Sequence, residues 1–159
     1  MRREYTTPDK LCGIPVDREA LDAFLPPGKK LTTHEKYYSG KMWTKQCDVL
    51  VDDNRIISAS HEWGEKDSST TRHFTPLHYT YPKLKNMLDV DHQADGGRFA
   101  YSDYRGFGKT KKCGSTLGHS EYAMFTEFDA RYSEHRDANA MKSLITHFTD
   151  AVERSSDCR

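Results

Sequence analysis

The 159-residue chain has no excess of charge of either sign: 24 Lys and Arg stand against 24 Asp and Glu, a formal net charge of zero at pH 7. That balance argues against a nucleic-acid partner, because a phosphate backbone is neutralised by a basic face. Long apolar runs are missing as well. Nothing approaches the roughly 20 residues that cross a bilayer, so no membrane span is expected. The opening Met1-Arg2-Arg3-Glu4-Tyr5 has no apolar signal-peptide core, so an exported protein with this start is expected to carry its signal or anchor upstream of residue 1. Asn-x-Ser/Thr acceptors are absent, so N-glycosylation gives no guide to compartment. Apolar side chains are scarce, at 35% of the chain. A single domain of this length still buries about two thirds of its unfolded surface, but a thin core calls for covalent support.

That support is present as four cysteines, Cys12, Cys47, Cys113 and Cys158, which fall as two pairs bracketing the two halves of the chain. Structural zinc sites bring cysteines within two to four residues of each other, and here every separation is tens of residues. Disulfides in an extracytoplasmic protein, secreted or on the cell surface, are therefore expected, with no metal and no cofactor. Three connectivities are open. A disulfide closing a loop of this size contributes about 4 kcal/mol on the chain-entropy model.

Residues 1–11 carry no periodicity and read as a tail or linker, leaving 12–159 as one disulfide-stapled domain. Asp17 is placed to cap a short helix with Leu21, Phe24 and Leu25 on one face, stopped by Pro26-Pro27-Gly28. An extended segment around Thr32 to Tyr38 precedes a hairpin of Cys47 to Val51 and Arg55 to His61 across Asp52-Asp53-Asn54. Residues 62–96 have no clean period and read as loops with a brief helix near Tyr81 to Leu88. Arg98 to Asp103 reads as a strand, and Gly106 to Lys112 as a turn leading to Cys113. Glu121 to Tyr132 alternates as a strand with one buried and one wet face. His135 to Glu153 carries Ala138, Met141, Leu144, Ile145, Phe148, Ala151 and Val152 at helical spacing. The expected class is α+β: an antiparallel sheet of about five strands with the long C-terminal helix and the short N-terminal helix packed on it.

The segment Leu11-Cys12-Gly13-Ile14-Pro15-Val16-Asp17, the helix end Leu25-Pro26-Pro27-Gly28, Cys47 in a strand, and a final helix running through Phe148-Thr149-Asp150-Ala151-Val152 to Cys158 together resemble extracytoplasmic domains of small actinobacterial, Streptomyces-like lipoproteins and secreted proteins. The resemblance implies an exported α+β domain with Cys12 paired to Cys47 and Cys113 to Cys158. It carries no catalytic residues to transfer.

Few constellations carry chemistry. Gly106-Phe107-Gly108-Lys109-Thr110 suggests a phosphate loop, but the required first glycine position is Asp103, and a plain turn is the expected reading. His73 and His78, with Asp89, Asp91 and His92 further on, hold metal-ligand residue types without ligand spacing. His119-Ser120-Glu121 holds triad residue types, yet neighbours on an extended chain point to opposite faces. Aromatics are the strongest binding hint: Tyr37, Tyr38, Trp43, Trp63, Tyr79, Tyr81, Tyr101, Tyr104 and Phe107 sit mostly in turn-rich stretches and serve either as core or as contact surface. The loop with Tyr101, Tyr104, Arg105 and Phe107 is the expected binding surface, since Gly106 and Gly108 would expose it and Lys109, Lys111 and Lys112 lie beside it. The expected function is non-catalytic: a binding or protein-interaction domain of the cell envelope or a secreted assembly, with a protein or cell-wall polymer as partner. The alternatives are a small hydrolase-like secreted enzyme using His73, His78, Asp91 and His92, or an inhibitor or immunity protein.

Overall fold

In the computed structural model, which describes residues 2–40, 43–75, 88–113 and 121–159, the Asp17 cap acts as expected, while a short helix, Thr70–Phe74, stands in the stretch read as loops. The Asp17 carboxylate accepts the Ala20 amide at 3.2 Å and opens helix α1, Arg18–Asp22. Asp137 does the same for Ala140 at 3.0 Å and opens helix α3, Ala138–Arg154. Ser69 caps a third, short helix, α2, Thr70–Phe74. Asp52 and Asp53 both take left-handed backbone (φ 50° and 67°), the geometry that a two-residue hairpin turn with the right twist demands. The Asp52 carboxylate then receives the Lys29 and Lys30 amides, each at 3.0 Å, and ties the turn to the chain entering the sheet.

Residues 2–11 are not a free tail. Glu4 donates to the Gly28 carbonyl at 2.8 Å, Thr7 is buried, and the chain continues into a small hairpin of β1 (Lys10–Leu11) and β2 (Ile14–Pro15). The main sheet comprises β3 (Leu31–Tyr38), β4 (Thr44–Val51), β5 (Asn54–Glu65), β6 (His92–Ala94), β7 (Phe99–Tyr101), β8 (Arg105–Lys109) and β9 (Tyr122–Asp129). Their order is β3-β4-β5-β9-β8-β7-β6, antiparallel at each junction. The sheet therefore has seven strands where about five were expected. The added ones are β6, in the stretch read as loops, and β8, in the stretch read as a turn.

The reason β8 escaped is physical. Gly106 and Gly108 lie in strand beneath α3, where a Cβ on Gly106 would stand 2.9 Å from Ile145 Cβ and one on Gly108 would stand 2.5 Å from Thr149 Oγ1. Glycine serves here for close approach of helix to sheet. Thr149 completes that contact, its hydroxyl lying 2.6 Å from Thr126 Oγ1 and donating to the Ile145 carbonyl at 2.7 Å.

Register divides the sheet into two faces. Met124, Thr126 and Phe128 of β9 look toward α3, together with Ala59, His61 and Trp63 of β5 and Cys47 and Val49 of β4. Leu11, Ile14, Leu21, Phe24, Met141, Leu144, Ile145 and Phe148 complete one core with them. Full burial of each large side chain contributes about 1.5–3 kcal/mol. The opposite face is polar except where α2 covers it. There His73 stacks on Phe125 at 3.9 Å between centroids, and Phe74 packs on Phe107 at 4.7 Å. Phe125 is thus buried on the face of β9 that was expected to be wet, so this strand is covered on both sides.

Two disulfides join Cys12 to Cys47 and Cys113 to Cys158. The first fastens the N-terminal hairpin to β4, and the second holds the 3-10 turn Ser156–Cys158, after α3, to the chain beyond β8. The helix expected over residues 81–88 lies outside the described residues save for Leu88.

Candidate binding surface

The four residues expected to form an exposed binding loop are divided by the sheet. Phe107 is 0% exposed, at the middle of β8, and Tyr101 is buried in β7 with His92 stacked on it at 5.1 Å. Arg105 is bound to Glu127 at 2.9 Å and Asp129 at 3.8 Å. Burial raises the Glu127 carboxyl above its ordinary range against the pull of Arg105. Tyr104 is half-buried: its hydroxyl bonds Asp89, and the Arg136 guanidinium lies 4.0 Å over its ring. Burial, and then that carboxylate, push the phenol up. Lys109 turns inward to the Lys66 and Ser68 carbonyls at 2.5 and 2.7 Å. Strand position, with layers on both sides, turns Tyr101 and Phe107 into core, Arg105 into a structural ion pair and Lys109 into a donor to backbone carbonyls.

Among the described residues of the enzyme reading, His73 lies apart from Asp91 and His92. His73 lies on the α2-covered face, 3.3 Å from Glu62, whereas His92 lies on the outermost strand β6, opposite Tyr101, with Asp91 at 3.6 Å. His78, His119 and Ser120 fall outside the described residues, as do Tyr79 and Tyr81. Among the described residues no group of three or more His, Cys, Asp or Glu side chains is arranged to hold a metal ion.

An open surface does exist at the other end of the sheet. The β3–β4 hairpin carries Tyr37 and Tyr38, 56% and 55% exposed, on opposite faces of an edge strand. On the helix side, Tyr37 meets Trp43 at 6.1 Å. Trp43 in turn stands over Lys45 at 5.2 Å and makes edge contacts with His61 at 5.9 Å and Trp63 at 6.1 Å. Below this aromatic ridge runs a groove of about 550 Å³ between the hairpin of Cys12 and Ile14, the sheet at Glu35 and Lys45, and the chain from Arg154 to Asp157.

Lys45 and Asp157 line the groove, and His61 lies behind them in a hydrogen-bonded trio. Asp157 accepts from Lys45 Nζ at 2.8 Å with one carboxylate oxygen and meets His61 Nε2 at 3.0 Å with the other. The His61 bond foremost, with Lys45 beside it, holds the Asp157 carboxyl at about 2 despite its burial. Period two in β4 and β5 sets Lys45 and His61 opposite each other on the same face. Asp157 arrives from the far end of the chain because Cys158, its neighbour, is anchored to Cys113. Sequence reading missed this trio, because its members lie 112 and 96 positions apart. The one local signal was a carboxylate next to a terminal cysteine.

Asp157 pairs with Lys45, and the His61 side chain is only 6% exposed. Glu35, on the lip, is exposed and has no ion-pair partner among the described residues. This arrangement offers rigid aromatic area, an exposed carboxylate and a shaped recess.

Compared with known proteins, the chain matches no family model, and no curated protein or solved structure is significantly similar to it.

Proposed function

We propose that the protein is a non-catalytic extracytoplasmic binding domain, part of a cell envelope or secreted assembly, and that it engages its partner through the β3–β4 hairpin and the groove beside it. The observation that carries this reading is the pair of solvent-exposed tyrosines, Tyr37 and Tyr38, at the end of an edge strand, with Trp43 between Tyr37 and the groove-lining Lys45. Interface energy concentrates in such side chains, because Tyr and Trp offer large contact area with little rotamer entropy to lose. Two disulfides in the described residues support an oxidising compartment. A protein or an envelope polymer is the partner class, and inhibition of a secreted protein is one form that binding takes.

Catalysis draws less support. A general base needs access to the reacting proton, and His61 directs its Nε2 at a carboxylate that Lys45 also holds.

Affinity capture from envelope extract by immobilised wild-type protein and by the Tyr37→Ala, Tyr38→Ala double variant tests the proposal. The expected result is a retained species lost from the variant while its melting temperature stays unchanged. Equal retention by both proteins, or by neither, overturns the assigned surface.

A further inference from the structure

We infer that β3 is a docking edge that takes up an extended segment of another protein as an eighth strand, and that this segment places a basic residue opposite Glu35 between acidic residues opposite His34 and Lys36. The inference rests on the binding reading above and specifies the kind of partner.

Backbone supply comes first. β3 is the outermost strand, bonded to β4 alone among the described strands, so its outer N–H and C=O groups face no partner strand. Proteins blunt such edges by shortening the strand, by a proline or by a bulge. β6, at the opposite edge, is three residues long. β3 runs for eight residues, Leu-Thr-Thr-His-Glu-Lys-Tyr-Tyr, without proline or glycine, and pairs residue for residue from Leu31 to Tyr38. Its only charged guards are His34, Glu35 and Lys36. An added strand would satisfy the free backbone groups and set its side chains against Tyr37 on one face and Tyr38 on the other.

The charges select the occupant. In a second copy related by a two-fold axis through the sheet normal, opposed residues share a face, so the central registers set Glu35 against Glu35, His34 against His34, or Lys36 against Lys36. Like charges directly opposite destabilise a pair of strands, which disfavours self-pairing. The inner edge shows the complementary rule at work: β4 places Asp48 opposite His34, and the Asp48 carboxylate bonds Lys36 at 3.0 Å. Glu35 faces Cys47 there and gains no cation. A strand that alternates acid, base, acid matches all three side chains from the outer side.

The test uses two synthetic peptides, acetylated and amidated, against the isotopically labelled full chain at low salt. One is Thr-Val-Glu-Lys-Glu-Val-Thr. The other has the charges reversed, Thr-Val-Lys-Glu-Lys-Val-Thr. The first is expected to shift the amide resonances of residues 31–38 saturably, to slow their hydrogen exchange, and to bind about tenfold more tightly than the second, as reversal of the charge pairs at Glu35 and Lys36 from repulsion to attraction implies. Glu35→Lys, at an exposed position, is expected to narrow or invert that preference. Absence of shifts on β3, equal binding of the two peptides, or shifts confined to the groove overturns strand addition. So does a dimer of the free chain in sedimentation with its interface on β3. If strand addition fails while envelope capture still depends on Tyr37 and Tyr38, the binding reading stands alone; if both fail, the surface itself is misassigned.

Discussion

Two stretches of this chain have nearly the same chemistry and opposite fates. Residues 101–112 combine Tyr101, Tyr104, Phe107, Arg105 and three lysines with two glycines; residues 35–45 combine Tyr37, Tyr38, Trp43, Lys36 and Lys45 with Gly40. The first forms much of β7 and β8, with α3 beneath and α2 above, and its aromatic rings are core or half-buried. The second forms the end of an edge hairpin and leaves its tyrosines in solvent. Composition marks both as contact surfaces. Position in the strand order decides which is one, because only an edge strand has an uncovered flank.

Truncations widen or erase this contrast. Phe107→Ala is expected to have the largest effect, about 3–5 kcal/mol of lost stability by denaturant titration, because it opens a cavity between β8, Phe74 and the sheet. A loss under 1 kcal/mol would mean that the ring is not part of the core. Gly108→Ala comes next, at about 1–3 kcal/mol, since the new methyl meets Thr149 and Thr126 hydroxyls at 2.5 and 2.6 Å and the helix has to move away. Thr149→Ala in the same chain is expected to recover part of it; no recovery would place the strain elsewhere.

Asp157 sharpens the comparison from the groove side. Its carboxyl is held at about 2, below its usual 3.8, so the folded form binds fewer protons than the unfolded one between those values. The stabilisation is therefore complete above about pH 5 and fades as pH falls toward 2; a shift of this size corresponds to at most about 2 kcal/mol, reduced by solvent screening of this partly exposed pair. Denaturant midpoints from pH 6 to pH 2 are expected to fall less steeply for Asp157→Asn than for wild type. Parallel curves would show that His61 and Lys45 do not hold the carboxylate in solution. The smallest effect belongs to the exposed pair: Tyr37→Ala and Tyr38→Ala are each expected to change stability by no more than about 0.5 kcal/mol. A loss above 2 kcal/mol would make them structural and would remove the contrast with Phe107.

Local chemistry was legible where one residue and its near neighbours suffice. Asp17 and the apolar stripe from Met141 to Val152 declare their helices, and Asp52-Asp53-Asn54 declares its hairpin, because capping, helical period and turn geometry act within a few residues. β8 was illegible for the converse reason. Gly106 and Gly108 look like turn residues until Ile145 and Thr149, some forty positions later, are known to lie against them. His61 and Asp157 show the same limit at the candidate site, since neither has a sequence neighbour that announces the other.

By itself, then, the amino-acid order determined the α+β class, the two main helices, the β4–β5 hairpin and a reliance on disulfides, since propensity, capping and period are short-range properties. Tertiary structure alone decided that the sheet has seven strands among the described residues, that β3 is the long edge of those strands, that Phe107 is core while Tyr37 is surface, and that Lys45, His61 and Asp157 meet. Those outcomes depend on which strand lies beside which and on what covers each face. Both are set by pairing and packing between residues tens of positions apart, where no local pattern records the partner.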